Sequence, residues 1–110
     1  EKIDELISIE GVDLAFIGPW DLSQSLGIPG EVKNPKLTEI IRKAVKACQN
    51  YDVVSGIAVG NDIDMAKMWI EEGVKMLLVS SDVGLILEAG TMYTKKIKKL
   101  LREVIKSEVD

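Results

Sequence analysis

The chain contains no histidine and only one cysteine, Cys48. Without an imidazole there is no general base for a Ser-His-Asp triad, and the commonest zinc ligand is missing, so neither can be built within this chain. A single cysteine forms no internal disulfide, and nothing here activates it as a nucleophile. Cys48 lies in a helical pattern beside Ala44 and Ala47, which reads as a packed or half-exposed thiol. No apolar run approaches the ~18 residues of a membrane span. The first residues, Glu1-Lys2-Ile3-Asp4-Glu5, are charged and helical in pattern, so no secretory leader is expected there. Basic charge is also short: 14 Lys and Arg stand against 18 Asp and Glu, a formal net charge of −4. A general nucleic-acid binder needs a basic footprint to release counterions from phosphates, and this chain has none. The expectation is a cytoplasmic protein with neither nucleic acid nor membrane as partner.

What the chain does have is ordinary for a globular protein: 46% hydrophobic and 29% charged residues in 110 positions. That length supports one small domain but is short for a complete α/β enzyme. Apolar spacing alternates between helical and extended. Residues 2–9 look helical, with Ile3, Leu6 and Ile7 on one face and Glu10-Gly11 as the stop. Val12–Ile17 reads as a strand, followed by a short helical turn near Asp21–Leu26 and a turn-forming loop, Gly27-Ile28-Pro29-Gly30. Asn34 and Pro35 suit the N-cap and first position of a long helix with Leu37, Ile40, Ile41, Ala44, Val45 and Cys48 as its stripe. A second strand, Val53–Val59, contains Gly56. Asn61 or Asp62 then caps a helix whose apolar face is Ile63, Ala66, Trp69 and Ile70, with Met65 at the margin, closing at Gly73. Val74–Ser80 is almost uniformly apolar, as in a strand covered on both faces. The last helix runs from about Val83 to Lys106.

Strands separated by helices of this length mean right-handed βαβ units and a parallel sheet. Three parallel strands leave two edges open, so the pattern predicts part of a larger α/β body. The fold class expected is α/β, with parallel βα units forming about half of a TIM (β/α)8 barrel, a fold of ~250 residues. Residues 1–110 are then one C-terminal half-barrel piece, a helix followed by three βα units.

Ligands in such folds bind beyond the carboxyl ends of the strands. Three groups fall there: Gly18-Pro19-Trp20-Asp21, Ala58-Val59-Gly60-Asn61 and Ser80-Ser81-Asp82. Their oxygen donors suit a hard divalent cation such as Mg²⁺ or Mn²⁺. Each also has a purely structural explanation. Asp21 before Leu-Ser-Gln-Ser suits the N-cap of a short helix, and Asn61, Asp62, Ser80, Ser81 and Asp82 suit caps of the helices after them. Gly56 and Gly60 lack dinucleotide-fingerprint spacing, and no glycine-rich phosphate loop supports a flavodoxin-like alternative. Trp69 belongs to a core stripe, whereas Trp20, at a strand end, walls a pocket or covers a rim. Lys95, Lys96, Lys98, Lys99 and Arg102 form the solvated face of the last helix.

The run Glu10-Gly11-Val12-Asp13 through Phe16-Ile17-Gly18-Pro19-Trp20-Asp21-Leu22-Ser23, then Ser25-Leu26-Gly27, resembles the segment around the second metal ligand of the HpcH/HpaI aldolases. These hydroxy-oxo-acid aldolases are related to the citrate lyase β subunit. The resemblance continues through Asn34-Pro35, Gly56-Ile57-Ala58-Val59, Trp69…Glu72-Gly73 and Ser80-Ser81-Asp82. It implies the C-terminal part of a divalent-metal-dependent aldolase that cleaves a 4-hydroxy-2-oxo acid to pyruvate and an aldehyde. Asp21 then matches the metal-binding aspartate, and Trp20 the residue whose backbone touches the pyruvate moiety. The family's metal-binding glutamate, substrate-binding arginine and catalytic histidine have no counterpart motif here, so no residue of this chain is assigned as catalytic. The expected metal affinity of the chain alone is weak or absent, and the chain alone is expected to be inactive. The alternative is a non-catalytic assembly module on the same framework. The family exchanges its last helix between subunits. With two open sheet edges and Leu100, Leu101, Val104 and Ile105 projecting from a long helix, a homo-oligomer is expected.

Overall fold

The structure, a computed structural model, describes residues 2–109, with side chains through residue 106. Its elements alternate as the pattern requires: α1 (Ile3–Ile7), β1 (Leu14–Ile17), α2 (Pro19–Ser25), α3 (Pro35–Asn50), β2 (Val54–Ala58), α4 (Ile63–Glu71), β3 (Met76–Leu78) and α5 (Asp82–Val109). The chain divides into two compact units, Glu1–Val79 and Ser80–Asp110. No helix of the described residues is long and apolar enough to cross a membrane.

In the first unit the three strands pair in parallel, in the order β1-β2-β3. Leu14 stands opposite Val54, and Phe16, Gly56 and Met76 form one row across the sheet. The strands are shorter than the apolar runs that contain them. Val12, Val53, Val59 and Val74 lie outside the ladder yet are buried or half-buried. Hydrophobicity reports burial, and at these positions it extends past the paired strand residues.

One sheet face is built on. Ile57 packs with Leu37, Ile41 and Val45 of α3, with Met65 and Trp69 of α4, and with Val59 and Val74; Ile17 and Leu77 lie against this cluster. A second cluster joins Ile7 of α1 to Ala47, Cys48 and Val53, with Ala15 against it. Burial of Cys48 pushes its thiol pKa up, because a packed apolar environment disfavours the charged thiolate. The expected Asn34 cap is present: its Oδ1 accepts from Lys36 N at 2.9 Å, and Pro35 opens the helix.

The opposite face is bare. Leu14, Phe16, Val54, Met76 and Leu78 are all exposed. This corrects the expectation that the last strand is covered on both faces, since Met76 and Leu78 are open and only Leu77 turns toward the helices. The physical reason is strand count: three strands do not curve round far enough to close over their own inner face. Gly56 belongs to that face. A Cβ there would stand 2.9 Å from Phe16 Cδ2 and 3.4 Å from Met76 Cβ, so the absent side chain is what lets its neighbours lie across the central strand.

The buried face of α4 also differs from expectation. Met65 and Trp69, one turn apart, are buried, while Ile63 and Ile70 are exposed. Capping sets this rotation: Asp62 is the N-cap, its Oδ1 accepting from Met65 N at 2.9 Å, which leaves Ile63 at the first helical position and outward. The helix ends on Gly73, whose φ of +94° is the left-handed conformation that closes helices. Arg42 of α3 pairs with Glu72 at 2.6 Å beside that end.

In the second unit α5 spans 28 residues, longer than expected. Ser81 Oγ accepts from Gly84 N at 3.1 Å and Asp82 Oδ1 from Val83 N at 2.8 Å, so these residues cap the helix.

The rotation of α4 has a direct test. Trp69→Ala is expected to cost about 3–5 kcal/mol, the usual cost of truncating a buried aromatic. Ile70→Ala is expected to stay within about 0.5 kcal/mol. Urea unfolding of the two variants checks the assignment, and equal losses would refute it.

Candidate metal and substrate site

Because the strands are parallel, the segments that follow β1 and β2 leave the same edge of the sheet. After β1 the chain turns at Gly18, the N-cap of α2, and Pro19 takes the first helical position. This corrects the capping alternative for Asp21. The helix starts two residues earlier, and Asp21 is the third residue of its first turn. A carboxylate there complements the positive end of the helix dipole. A Cβ on Gly18 would stand 2.5 Å from Asp21 Oδ2, so the carboxylate is folded back over the Gly18 backbone. It is exposed, and among the described residues it makes no hydrogen bond or ion pair.

Trp20, beside it, is 62% exposed and packs its indole on the loop at Gly30. A Cβ on Gly30 would meet Trp20 Cη2 at 3.1 Å, and the Gly30 φ of +80° belongs to the left-handed region, so two demands fall on one glycine. Between them lies Ser23, fully buried. Its Oγ donates to Trp20 O at 2.7 Å and accepts from Gly30 N at 3.0 Å. Ile28 N adds a bond to Ser23 O at 3.0 Å.

After β2 come Val59, Gly60 and Asn61, and then the Asp62 cap. Asp62 Oδ2 also pairs with Lys33 Nζ at 2.5 Å, which ties the loop before α3 to the start of α4. The hydrogen bond from Lys33 holds the Asp62 carboxyl below the usual Asp range, helped by the Met65 N–H; the same bond raises the Lys33 pKa. The third expected group, Ser80-Ser81-Asp82, opens the second unit, where its hydrogen bonds serve α5. Among the described residues no group of three or more His, Cys, Asp or Glu is placed to hold a metal ion. Asp21 therefore stands as a single carboxylate donor, with Trp20 beside it.

The bridging role of Ser23 and the pairing of Asp62 with Lys33 are not expected from the sequence, which marks Ser23 only as part of the family-like run and Asp62 only as a cap. A signal for Ser23 existed: Pro19, Leu22, Ser23 and Leu26 fall on one helical face, and each is buried or half-buried. The ion pair joins loops far apart in sequence, and nothing local announces it.

The model of the HpcH/HpaI aldolase/citrate lyase family matches residues 1–89. The chain belongs to this family. Among relatives, the HpcH/HpaI chain is 31% identical over 98 residues to a hydroxypyruvate/pyruvate aldolase of Roseobacter denitrificans, covering 89% of itself and 38% of that protein. It is 30% identical over 90 residues to a 4-hydroxy-2-oxo-heptane-1,7-dioate aldolase of Escherichia coli, covering 82% of itself and 34% of that protein. A solved HpcH/HpaI aldolase from Desulfitobacterium hafniense superposes with a TM-score of 0.82 at 35% identity, over 88% of this chain and 38% of that one. The HpcH/HpaI chain thus spans little more than a third of the length of these relatives and has the corresponding part of a TIM-barrel-type fold. Its bare sheet face is the face that such barrels turn inward.

The Lys33–Asp62 pair predicts a pH dependence. A lowered carboxyl pKa contributes stability above the unfolded Asp value of ~3.9, and loses it as pH falls through the folded value. The raised Lys33 pKa acts oppositely: its contribution is complete below the unfolded Lys value of ~10.4 and is lost as pH rises through the folded value. Urea midpoints from pH 7 down to 2 are expected to fall less in Asp62→Asn, which keeps the cap, than in the parent chain. Asp62→Ala loses the cap as well and is expected to be the less stable of the two at pH 7.

Proposed function

We propose that this chain supplies the C-terminal part of a divalent-metal-dependent aldolase that cleaves a 4-hydroxy-2-oxo acid to pyruvate and an aldehyde, or runs the reverse addition. The observation that carries this reading is the exposed Asp21 carboxylate in the first turn after β1, on the strand-end edge, in a chain of the HpcH/HpaI family. The donor chemistry fits the metal. Mg²⁺ and Mn²⁺ prefer hard oxygen ligands, keep several waters, and are commonly held through one or two carboxylates. Asp21 offers one carboxylate with no competing partner among the described residues. A divalent ion bound there supplies Lewis acidity toward the carboxylate and carbonyl oxygens of a keto acid.

The chain's own residues have narrower roles. Asp21 would be the carboxylate through which this chain holds the ion. The Trp20 backbone, in the same turn, touches the pyruvate moiety, and its indole forms a wall against Gly30. Deprotonating the substrate hydroxyl and supplying the second carboxylate ligand need groups outside this chain, so the chain alone is inactive. Assembly completes the reading: the open edges of β1 and β3, and the exposed Leu100, Leu101, Val104 and Ile105 of α5, favour a homo-oligomer.

Retro-aldol assays with Mg²⁺ or Mn²⁺ are expected to show activity in a longer parent protein and none in the 110-residue chain. Absence of activity in both would favour the assembly-module alternative. In the active protein, Asp21→Asn is expected to abolish metal binding while leaving the urea midpoint nearly unchanged, because Asp21 caps nothing. Retained metal affinity would remove Asp21 from the site. Light scattering of the chain at micromolar concentration is expected to give at least a dimer, and a stable folded monomer would refute the assembly reading.

A further inference from the structure

We infer that Ser23 is the positioning residue of the Asp21 turn, acting through Trp20 and Gly30 to fix where the carboxylate stands. This rests on the reading of Asp21 as a metal ligand. Ser23 is fully buried, yet its hydroxyl is fully used. It donates to the Trp20 carbonyl at 2.7 Å and accepts from the Gly30 amide at 3.0 Å. One oxygen thus bridges the first turn of α2 to the loop that closes over it. The Ile28 amide on Ser23 O and the Trp20 indole on Gly30 clamp the same loop from both sides.

The consequence falls on Asp21 because it has no support of its own. Its side chain makes no hydrogen bond among the described residues, and its place over Gly18 is set only by the rotation of the turn it shares with Trp20. Removing the Ser23 hydroxyl takes the partner from the half-buried Gly30 N–H and loosens the loop. Trp20 then loses the surface it packs on, and the turn next to it gains freedom. Groups that orient a metal ligand without touching the metal typically change metal affinity by about 10–100-fold.

Two readouts separate this role from a merely structural one. The chain has two tryptophans, and Trp69 is 1% exposed, so iodide quenching of fluorescence reports on Trp20. Mn²⁺ affinity of the longer parent protein, which supplies the second carboxylate, measured by electron paramagnetic resonance, reports on Asp21. Ser23→Ala is expected to raise the quenching constant and weaken Mn²⁺ binding by about 10–100-fold. Ser23→Thr, which keeps the hydroxyl, is expected to restore Mn²⁺ affinity toward the parent value. Gly30→Ala keeps Ser23 but displaces the indole. It is expected to weaken Mn²⁺ in the same direction, and it decides the matter if Ser23→Ala does not fold. Unchanged Mn²⁺ affinity in a folded longer protein carrying Ser23→Ala, or Gly30→Ala, would overturn the inference while leaving Asp21 as the ligand. A longer parent protein that binds no Mn²⁺, with Asp21→Asn giving the same result, would instead remove the metal site, and the inference falls with it.

Discussion

The packing of Ile57 against Leu37, Ile41 and Trp69 is the interaction on which the rest of the first unit depends. It fixes which face of the sheet is inside, because β2 is the central strand and Ile57 packs from it against α3 and α4. With a side-chain period of two, choosing Ile57 for the helix side assigns Val54, Gly56 and Ala58 to the other. Parallel pairing carries that choice across to Phe16 and Met76. It also gives all three strands a common direction, so the turns after β1 and β2 emerge together at one edge. The location of Asp21 is therefore a consequence of core packing some distance away.

Much of this architecture is legible in the sequence because its signals are local. Asn34-Pro35 marks a helix start by cap chemistry and a fixed φ, and the structure has both. Gly73 marks a helix end in the same way. The fold class follows from alternation of spacing, since strands joined by helices of this length leave few topologies. Three points were not legible. The burial of β3 depends on whether further strands close the barrel, which a composition of Met, Leu and Val does not reveal. The face of α4 is centred on Met65 and Trp69, which apolar spacing shared among Ile63, Ala66 and Ile70 does not single out. The strand limits lie inside the apolar runs, because valines just outside the ladder are buried by the helices.

The candidate site divides similarly. Asp21 and Trp20 are visible as residues just beyond a strand, and family resemblance assigns their roles. That Asp21 is not the cap depends on Pro19 starting the helix, a distinction of two residues that propensity does not resolve. Ser23 illustrates the harder case. Two serines stand two apart in α2, yet Ser23 is buried and bridging while Ser25 is exposed and bonds only to Asp21 O. Only helical phase separates them.

The arrangement around Ser23 also bears on the order in which the molecule assembles. Its two hydrogen bonds join residues three and seven positions apart. Closing so short a segment costs little chain entropy, whereas aligning β1 with β2 must bring together residues separated by all of α2 and α3. The segment from Gly18 to Gly30 is thus the part of the strand-end edge with the lowest contact order. Folding can shape the turn that carries Asp21 on the microsecond scale of local structure, before the sheet beneath it has registered. A ligand-bearing turn of this kind arrives at the barrel ready-made, and the later strands need only dock against it.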